Sequence, residues 1–279
     1  MSEMQLVYDH SKRRLDQAHK AIAQLESEVQ AWRDGDPFEI TTTIATDHLS
    51  WKMQARVRTP IDSDGWGGLF GTAIHQLRAD LDNIVWDLVR IFEAEPTKTS
   101  RVHFPVCYTE SAWNADLRDS VGKLPNEVLH ALRFFQPFTG RDLDVSLSPE
   151  HTPLAQLHSY DIMDKHRVAP LAGNLTDWVS SAVVVTFEGH KGAQRNREKP
   201  YLITDRLDTD GTLEISQSVD DPIRSVGGTL HVPYRLVVLH DQGGVAPLVT
   251  GPQAMFRFTT EIVASLLSAG DAALAERGA

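Results

Sequence analysis

The chain is poor in cysteine, since Cys107 is the only one among its 279 residues. A lone cysteine excludes an internal disulfide and a zinc centre built on several thiolates. The sequence also lacks an apolar run of the roughly 18 residues that a membrane-spanning helix needs, and it begins with no recognisable signal peptide. We therefore expect a soluble protein of a reducing, cytoplasmic compartment, with no membrane partner.

Positive charge is scarce as well. The chain has 27 lysines and arginines against 38 aspartates and glutamates, for a formal net charge of -11. Such a surface repels a phosphate backbone at long range, which argues against broad nonspecific DNA binding but still allows a local basic pocket. Hydrophobic residues make up 41% of the chain and charged residues 23%, as in ordinary globular proteins, so a packed core is predicted.

Motifs of the common metal and cofactor classes are missing. There is no His-Glu-x-x-His and no Gly-x-Ser-x-Gly. Residues 60–71 are glycine-rich, but no lysine follows them and their glycines miss the dinucleotide-binding spacing. We predict no cofactor and no metal. We interpret residues 60–71 as a tight turn before a helix capped by Thr72; the alternative is an anion held by backbone amides.

Apolar periodicity predicts a helical bundle with an inserted hairpin. Apolar residues recur three and four apart, the period of a helix with one buried face. The predicted helices are residues 4–33, 72–93, 111–120, 125–135 and 154–171. Between the first two, residues 38–44 and 49–57 have strand character and flank a turn at Asp47 and His48, which predicts an antiparallel hairpin over residues 38–58.

Strand-like segments dominate the second part of the chain, and an amphipathic helix follows them. The predicted strands are residues 179–187, 201–204, 212–215, 230–239 and 245–249, and the predicted helix is 252–275. Residues 189–199 are polar and basic, as in an exposed hairpin tip. This order predicts an α+β fold. Residues 1–175 form the bundle with its hairpin, and residues 176–279 form an antiparallel sheet and a closing C-terminal helix, packed with the bundle as one unit.

A polar edge runs beside the apolar stripe of the helix predicted at residues 72–93. His75, Arg78 and Asp82 follow the helical spacing, so they share one edge, and Arg78 and Asp82 are placed to pair. One interpretation is a structural ion pair that orients a core histidine. The other is a site in which Arg78 binds a phosphate while His75 moves a proton.

A second cluster lies near the end of the helix predicted at residues 154–171. Its five ionisable groups occupy seven residues and need partners if they are buried: Asp161, Asp164, Lys165, His166 and Arg167. The structural interpretation is a solvated, salt-bridged last helical turn. The functional interpretation brings His166 or Lys165 beside Arg78 from a neighbouring helix.

Several of these motifs resemble, in the same order, those of an uncharacterised bacterial protein family. Its signature reads approximately Gly-Asp-x-x-His-Asn-Leu-Arg-Ser-x-Leu-Asp-His, and residues 71–83 of this chain are similar to it. Other similar segments are Phe104-Pro105, Gln136-Pro137-Phe138 and Asp164-Lys165-His166-Arg167. The similarity spans most of residues 10–185.

The family signature also resembles the Arg-x(4–6)-His motif of HEPN ribonucleases, which are helical, usually dimeric and independent of metal. The resemblance implies that Arg78 stabilises the phosphate in the transition state while a histidine transfers a proton. In this chain Asn83 stands five positions after Arg78, and its amide cannot transfer a proton near neutral pH. Either His75 or His166 replaces the missing histidine, or this chain is not a nuclease.

Two functional hypotheses follow. The first is a HEPN-like, RNA-directed defence or toxin protein of the metal-independent endoribonuclease type, which binds RNA in a local basic pocket and forms a homodimer. Its catalytic residues are Arg78 with His75 or His166. Its substrate-binding residues are Asp82, Asn83, Asp161, Asp164, Lys165 and Arg167. The second hypothesis is a non-catalytic binding or interaction module whose central histidine, arginine and aspartate cluster is structural.

Overall fold

A computed structural model describes residues 3–95, 101–140, 149–165, 171–176, 180–188, 193–195, 212–231, 234–239 and 245–278. The α-helices in these ranges are α1 Glu3–Asp34, α2 Ser63–Ile91, α3 Glu110–Ser120, α4 Asn126–Phe134, α5 Pro153–Lys165 and α6 Thr250–Gly278. The strands are β1 Phe38–Ile44, β2 Ser50–Val57, β3 Leu171–Thr176, β4 Ser180–Phe187, β5 Ala193–Arg195, β6 Thr212–Ser218, β7 Ile223–His231, β8 Tyr234–Leu239 and β9 Val245–Pro247. The predicted α+β class is confirmed.

Helix α2 lies at the centre of the main core. It packs against α1, α5 and α6 and also contacts β3. Its apolar side chains at helical spacing are fully enclosed, among them Phe70, Ile74, Leu77, Leu81 and Leu88. Burying a side chain of this size contributes about 2 kcal/mol relative to leaving it exposed, so this stripe fixes how the bundle packs.

The start of α2 differs from the prediction. The helix begins at Ser63, where the carboxylate of Asp62 caps it by accepting a hydrogen bond from the Gly65 amide at 2.9 Å. Residues 63–71 are therefore helical, and the prediction of a tight turn followed by a helix with Thr72 as its N-cap is wrong. Trp66 and Phe70 are buried four residues apart and extend the core stripe upstream, so packing outweighs the low helix propensity of the glycines.

Gln136 holds the segment after α2 against α4. Its side-chain amide nitrogen donates to the carbonyls of Pro105 and Leu132, each at 3.0 Å, and its oxygen accepts from the Cys107 amide at 2.9 Å. The residue is 1% exposed. Because the segment lies outside any sheet, this one side chain satisfies backbone groups that strand pairing would otherwise satisfy.

The strands form three small antiparallel sheets, with orders β1-β2-β6, β3-β8-β9 and β5-β4-β7. The predicted hairpin is confirmed, with Phe38 opposite Val57 and Ile44 opposite Trp51. The antiparallel pairing predicted for the second part of the chain is confirmed, but the strands are divided among small sheets and do not form one. Strand β6 instead pairs with β2, and the buried face of β2 joins residues of β4 and β7 in a second, smaller core.

Two other boundaries also need correction. The helix predicted to end at residue 171 ends at Lys165 within the described residues, and Leu171 already belongs to β3. The strand predicted over residues 230–239 corresponds to the end of β7 and to β8, which belong to different sheets. Residues 232–233 between them lie outside the described residues. The strand predicted at 201–204 lies outside the described residues, as does most of the predicted tip at 189–199.

The C-terminal helix α6 closes the bundle, as predicted. It packs against α1, α2, α4 and α5. Its buried residues include Met255, Ile262 and Leu266. Among the described helices, none combines the length and the apolar character required to cross a bilayer.

Candidate functional site

Helix α2 presents polar side chains on two sides of its buried stripe. On one side, His75, Arg78 and Asp82 lie toward α5 and the segment that contains Phe104. On the other side, polar residues lie toward α1: Gln76, Asp80, Asn83 and Asp87. The predicted catalytic residues His75 and Arg78 belong to the first of these sides.

Arg78 takes part in a closed arrangement with Asp82 and the backbone of Phe104. Its Nη2 donates to the Phe104 carbonyl at 2.8 Å and lies 2.8 Å from Asp82 Oδ1. The same carboxylate oxygen accepts from the Phe104 amide at 2.9 Å. The predicted pairing of Arg78 with Asp82 is thus confirmed. The arrangement ties α2 to the segment that follows it.

The Arg78 guanidinium is enclosed, since the residue is only 3% exposed. Burial lowers the pKa of Arg78, and the neighbouring carboxylates of Asp82 and Asp161 counteract part of that effect. Its Nη1 is buried and has no hydrogen-bond partner among the described residues. The cost of burying these charges offsets much of their attraction, but removal of one partner alone is costly because it leaves the other charge uncompensated.

His75 occupies the outer edge of this cluster. Its Nδ1 lies 3.4 Å from Oδ1 of Asp161 on α5. The His75 side chain is 47% exposed, whereas the Asp161 side chain is 2% exposed. At 3.4 Å the hydrogen bond is long. The half-exposed imidazole therefore contacts a buried carboxylate, and His75 lies one helical turn from Arg78.

His158 on α5 is a member of the cluster that the sequence analysis did not identify. Burial, together with the positive charge of Arg78, lowers the pKa of His158 to about 4. Its imidazole is consequently neutral at neutral pH. Its Nδ1 is buried and, within the described part of the chain, has no hydrogen-bond partner. Its position three residues before Asp161, one turn along the same helix face, is a sequence pattern that could have indicated it.

The remaining predicted site residues do not all meet at this cluster. Asp164 and Lys165 form the end of α5, and nothing is described of their side chains. His166 and Arg167 lie outside the described residues, so the predicted approach of His166 to Arg78 stays a prediction. Asn83 lies on the other side of α2, beside α1.

A cleft between α1 and α2 forms the second polar feature. Its volume is about 410 Å³, and it is lined by His10, Arg13, Arg14, Gln17, Asn83 and Asp87. All six side chains are polar. His10 Nδ1 lies 3.5 Å from Asp87 Oδ2, and Arg14 donates to the Gln76 side-chain oxygen at 3.4 Å.

Next to this cleft, Asp80 is buried at the interface of α1 and α2. It is 1% exposed, and its carboxylate accepts a 2.8 Å hydrogen bond from the Ser11 hydroxyl. Burial raises the pKa of Asp80 to about 7, although the Ser11 hydrogen bond and the charge of Arg14 act in the opposite direction. Near neutral pH this carboxyl is therefore only partly ionised.

A pattern in the sequence indicates this second polar side of α2, although it was not predicted. Residues 10, 13, 14 and 17 of α1 recur at helical spacing, as do residues 76, 80, 83 and 87 of α2. Two helices that each carry a polar stripe at this spacing pair along it when they pack side by side. Only the packing of α1 on α2, however, identifies these two stripes as neighbours.

Comparisons with known proteins identify no relative. No family model, no curated protein and no solved structure matches the chain. In the described ranges, no group of three or more histidine, cysteine, aspartate or glutamate side chains is arranged to hold a metal ion.

Proposed function

We propose that the chain is a non-catalytic binding protein in which the cluster around Arg78 maintains the architecture of the bundle. The observation that carries this proposal is the position of the guanidinium, which is 3% exposed and is engaged by Asp82 and the Phe104 carbonyl. A phosphate cannot reach Arg78 unless these contacts open. Removing a partner from a buried ion pair costs about 3–5 kcal/mol, so such an opening is strongly disfavoured.

The neighbouring histidines support the same proposal. Burial lowers the pKa of the half-buried His158 to about 4, so its imidazole is neutral near neutral pH and cannot act as a general acid there. His75 is exposed, but the Arg78 guanidinium beneath it is enclosed. A phosphoryl transfer site needs its proton carrier and its charge stabiliser to reach the same substrate atoms.

A stability measurement combined with an RNA cleavage assay tests this proposal. In Arg78→Gln we expect the free energy of unfolding to fall by about 3 kcal/mol, and the urea midpoint with it, because Asp82 and Phe104 lose their partner. The matched control is Arg90→Gln, on the same helix but with a 69% exposed side chain, which should change stability by less than about 0.5 kcal/mol. Purified wild-type protein should leave RNA intact. RNA cleavage that Arg78→Gln abolishes while the fold is retained would contradict the proposal.

A second candidate function is the RNA-directed, metal-independent ribonuclease. The observation that favours it is the pairing of the half-exposed His75 imidazole with the buried Asp161 carboxylate, because a carboxylate that orients a histidine assists proton transfer. In this case wild-type protein cuts RNA without added metal, and His75→Ala abolishes the cleavage with little change in stability. His19→Ala, on the exposed face of α1, is the control.

A further inference from the structure

The cleft between α1 and α2 is built from side chains at regular helical intervals. On α1, His10, Arg13 or Arg14, and Gln17 follow one another three or four residues apart, and on α2 Asn83 and Asp87 are four apart. Two packed helices therefore hold these groups on opposing walls. Every lining residue carries a polar or charged group, so the cleft suits a polar ligand.

The charges of the cleft favour an anion. Among the lining residues, two guanidinium groups face one carboxylate, Asp87, which already lies 3.5 Å from His10 and 3.8 Å from Arg90. The neighbouring Asp80, which interacts with Arg14, adds a further acidic group whose pKa burial raises to about 7, so it is only partly ionised near neutral pH. Arg13 makes no ion pair or hydrogen bond within the described residues. This local excess of positive charge contrasts with the net charge of -11 of the whole chain. Arginine binds phosphate oxygens through two parallel hydrogen bonds, and a pair of arginines suits a doubly charged phosphate.

The uncharged groups of the cleft match the rest of such a ligand. The amides of Gln17 and Asn83 have no hydrogen-bond partner in the described part of the chain, and each offers both donors and an acceptor. Asp87 can accept a hydrogen bond from a hydroxyl group. The volume of about 410 Å³ lies near the lower end of the range for small-molecule sites, which limits the ligand to roughly one nucleotide in size.

We infer that this cleft binds a phosphomonoester of about the size of one nucleotide, with the phosphate on Arg13 and Arg14 and the polar body between Gln17, Asn83 and Asp87. The inference rests on the proposed binding role and gives it a ligand class. A free nucleotide and the phosphorylated 5′ end of an RNA chain share this chemistry.

Isothermal titration calorimetry with adenosine 5′-monophosphate tests the inference, with adenosine as the uncharged match. We expect the monophosphate to bind at least about tenfold more tightly than adenosine, and the difference to shrink as salt is added. Arg13→Gln changes an exposed residue and should lower the affinity for the monophosphate by about tenfold. Lys20→Gln, an exposed cation of α1 outside the cleft, is the control and should leave the affinity unchanged.

Two RNA probes separate the sources of the ligand. A short single-stranded RNA with a 5′-phosphate is compared with the same RNA ending in a 5′-hydroxyl. Tighter binding of the phosphorylated RNA than of the mononucleotide identifies an RNA end, and the reverse order identifies a free nucleotide; both support a phosphomonoester site. Measurable and equal binding of the two RNAs would overturn the inference, because the phosphate would then contribute nothing. No binding of the mononucleotide at about 1 mM, or an equal loss of its affinity in Arg13→Gln and Lys20→Gln, would overturn it as well. RNA cleavage dependent on Arg78 would refute the proposed function alone, because it concerns the other side of α2.

Discussion

The buried carboxyl group of Asp80 offers a direct test of how burial governs the interface of α1 and α2. Asp80 is 1% exposed and accepts its hydrogen bond from Ser11. Burial raises the pKa of this carboxyl from 3.8 to about 7 in the folded protein. The native state therefore retains a proton that the unfolded chain releases, and the contribution of Asp80 to stability falls as pH rises from about 4 to about 7.

The size of the effect on stability follows from this shift in the pKa of Asp80. Each tenfold change in a proton-binding constant corresponds to about 1.4 kcal/mol, so the displacement from 3.8 to about 7 corresponds to at most about 4 kcal/mol. Asp80→Asn removes the ionisation while its amide oxygen can still accept the hydrogen bond from Ser11. We expect the free energy of unfolding of Asp80→Asn, relative to wild type, to increase by about 2–4 kcal/mol between pH 4 and pH 7 and to level off above.

Urea unfolding monitored by tryptophan fluorescence at a series of pH values measures this difference. The amide group adds a contribution of its own that is independent of pH, so the informative quantity is the slope and not the offset. Asp16→Asn, which replaces an exposed carboxylate on α1, is the control. A difference for Asp80→Asn that stays constant from pH 4 to pH 8 would refute the reasoning.

Three further predictions concern stability and access. Gln136→Leu should lower the free energy of unfolding by about 3 kcal/mol, because three buried backbone groups lose their partner; Gln30→Leu on the exposed face of α1 is its control in chemical denaturation, and equal losses would contradict this role. Asp62→Ala should lower the free energy of unfolding by about 1 kcal/mol because α2 loses its cap, whereas Asp62→Asn should keep most of the wild-type stability. Equal melting temperatures for the two variants would argue against capping. Cys107 is 3% exposed, so its thiol should react with a disulfide reagent only after unfolding, and rapid labelling of the native protein would be inconsistent with this burial.

The sequence was informative wherever one physical effect dominated. Apolar periodicity located α1, α4 and α6 to within a few residues, and the four-residue spacing of Arg78 and Asp82 correctly predicted their pairing. The start of α2 was missed because four glycines suggested a turn, whereas Trp66 and Phe70 anchor that segment in the core.

Long-range pairing was harder to predict. Nothing local in residues 212–218 shows that they pair with β2, because the partner strand is distant in sequence. The same limit applies to the candidate sites. Spacing placed His75, Arg78 and Asp82 on one edge, but only tertiary packing shows that Arg78 is enclosed and that α1 brings Arg13 and Arg14 to Asn83.

The pairing of β6 with β2 and the packing of α6 on α1 have a kinetic consequence. Both contacts join parts of the chain that the ribosome makes far apart in time. A growing chain would therefore display the apolar stripe of α1 and the open edge of β2 long before their partners emerge. Proteins dominated by such distant contacts fold slowly and expose aggregation-prone hydrophobic surface and unpaired strand edges during folding. Efficient production of this protein should consequently depend on low temperature or chaperone capacity.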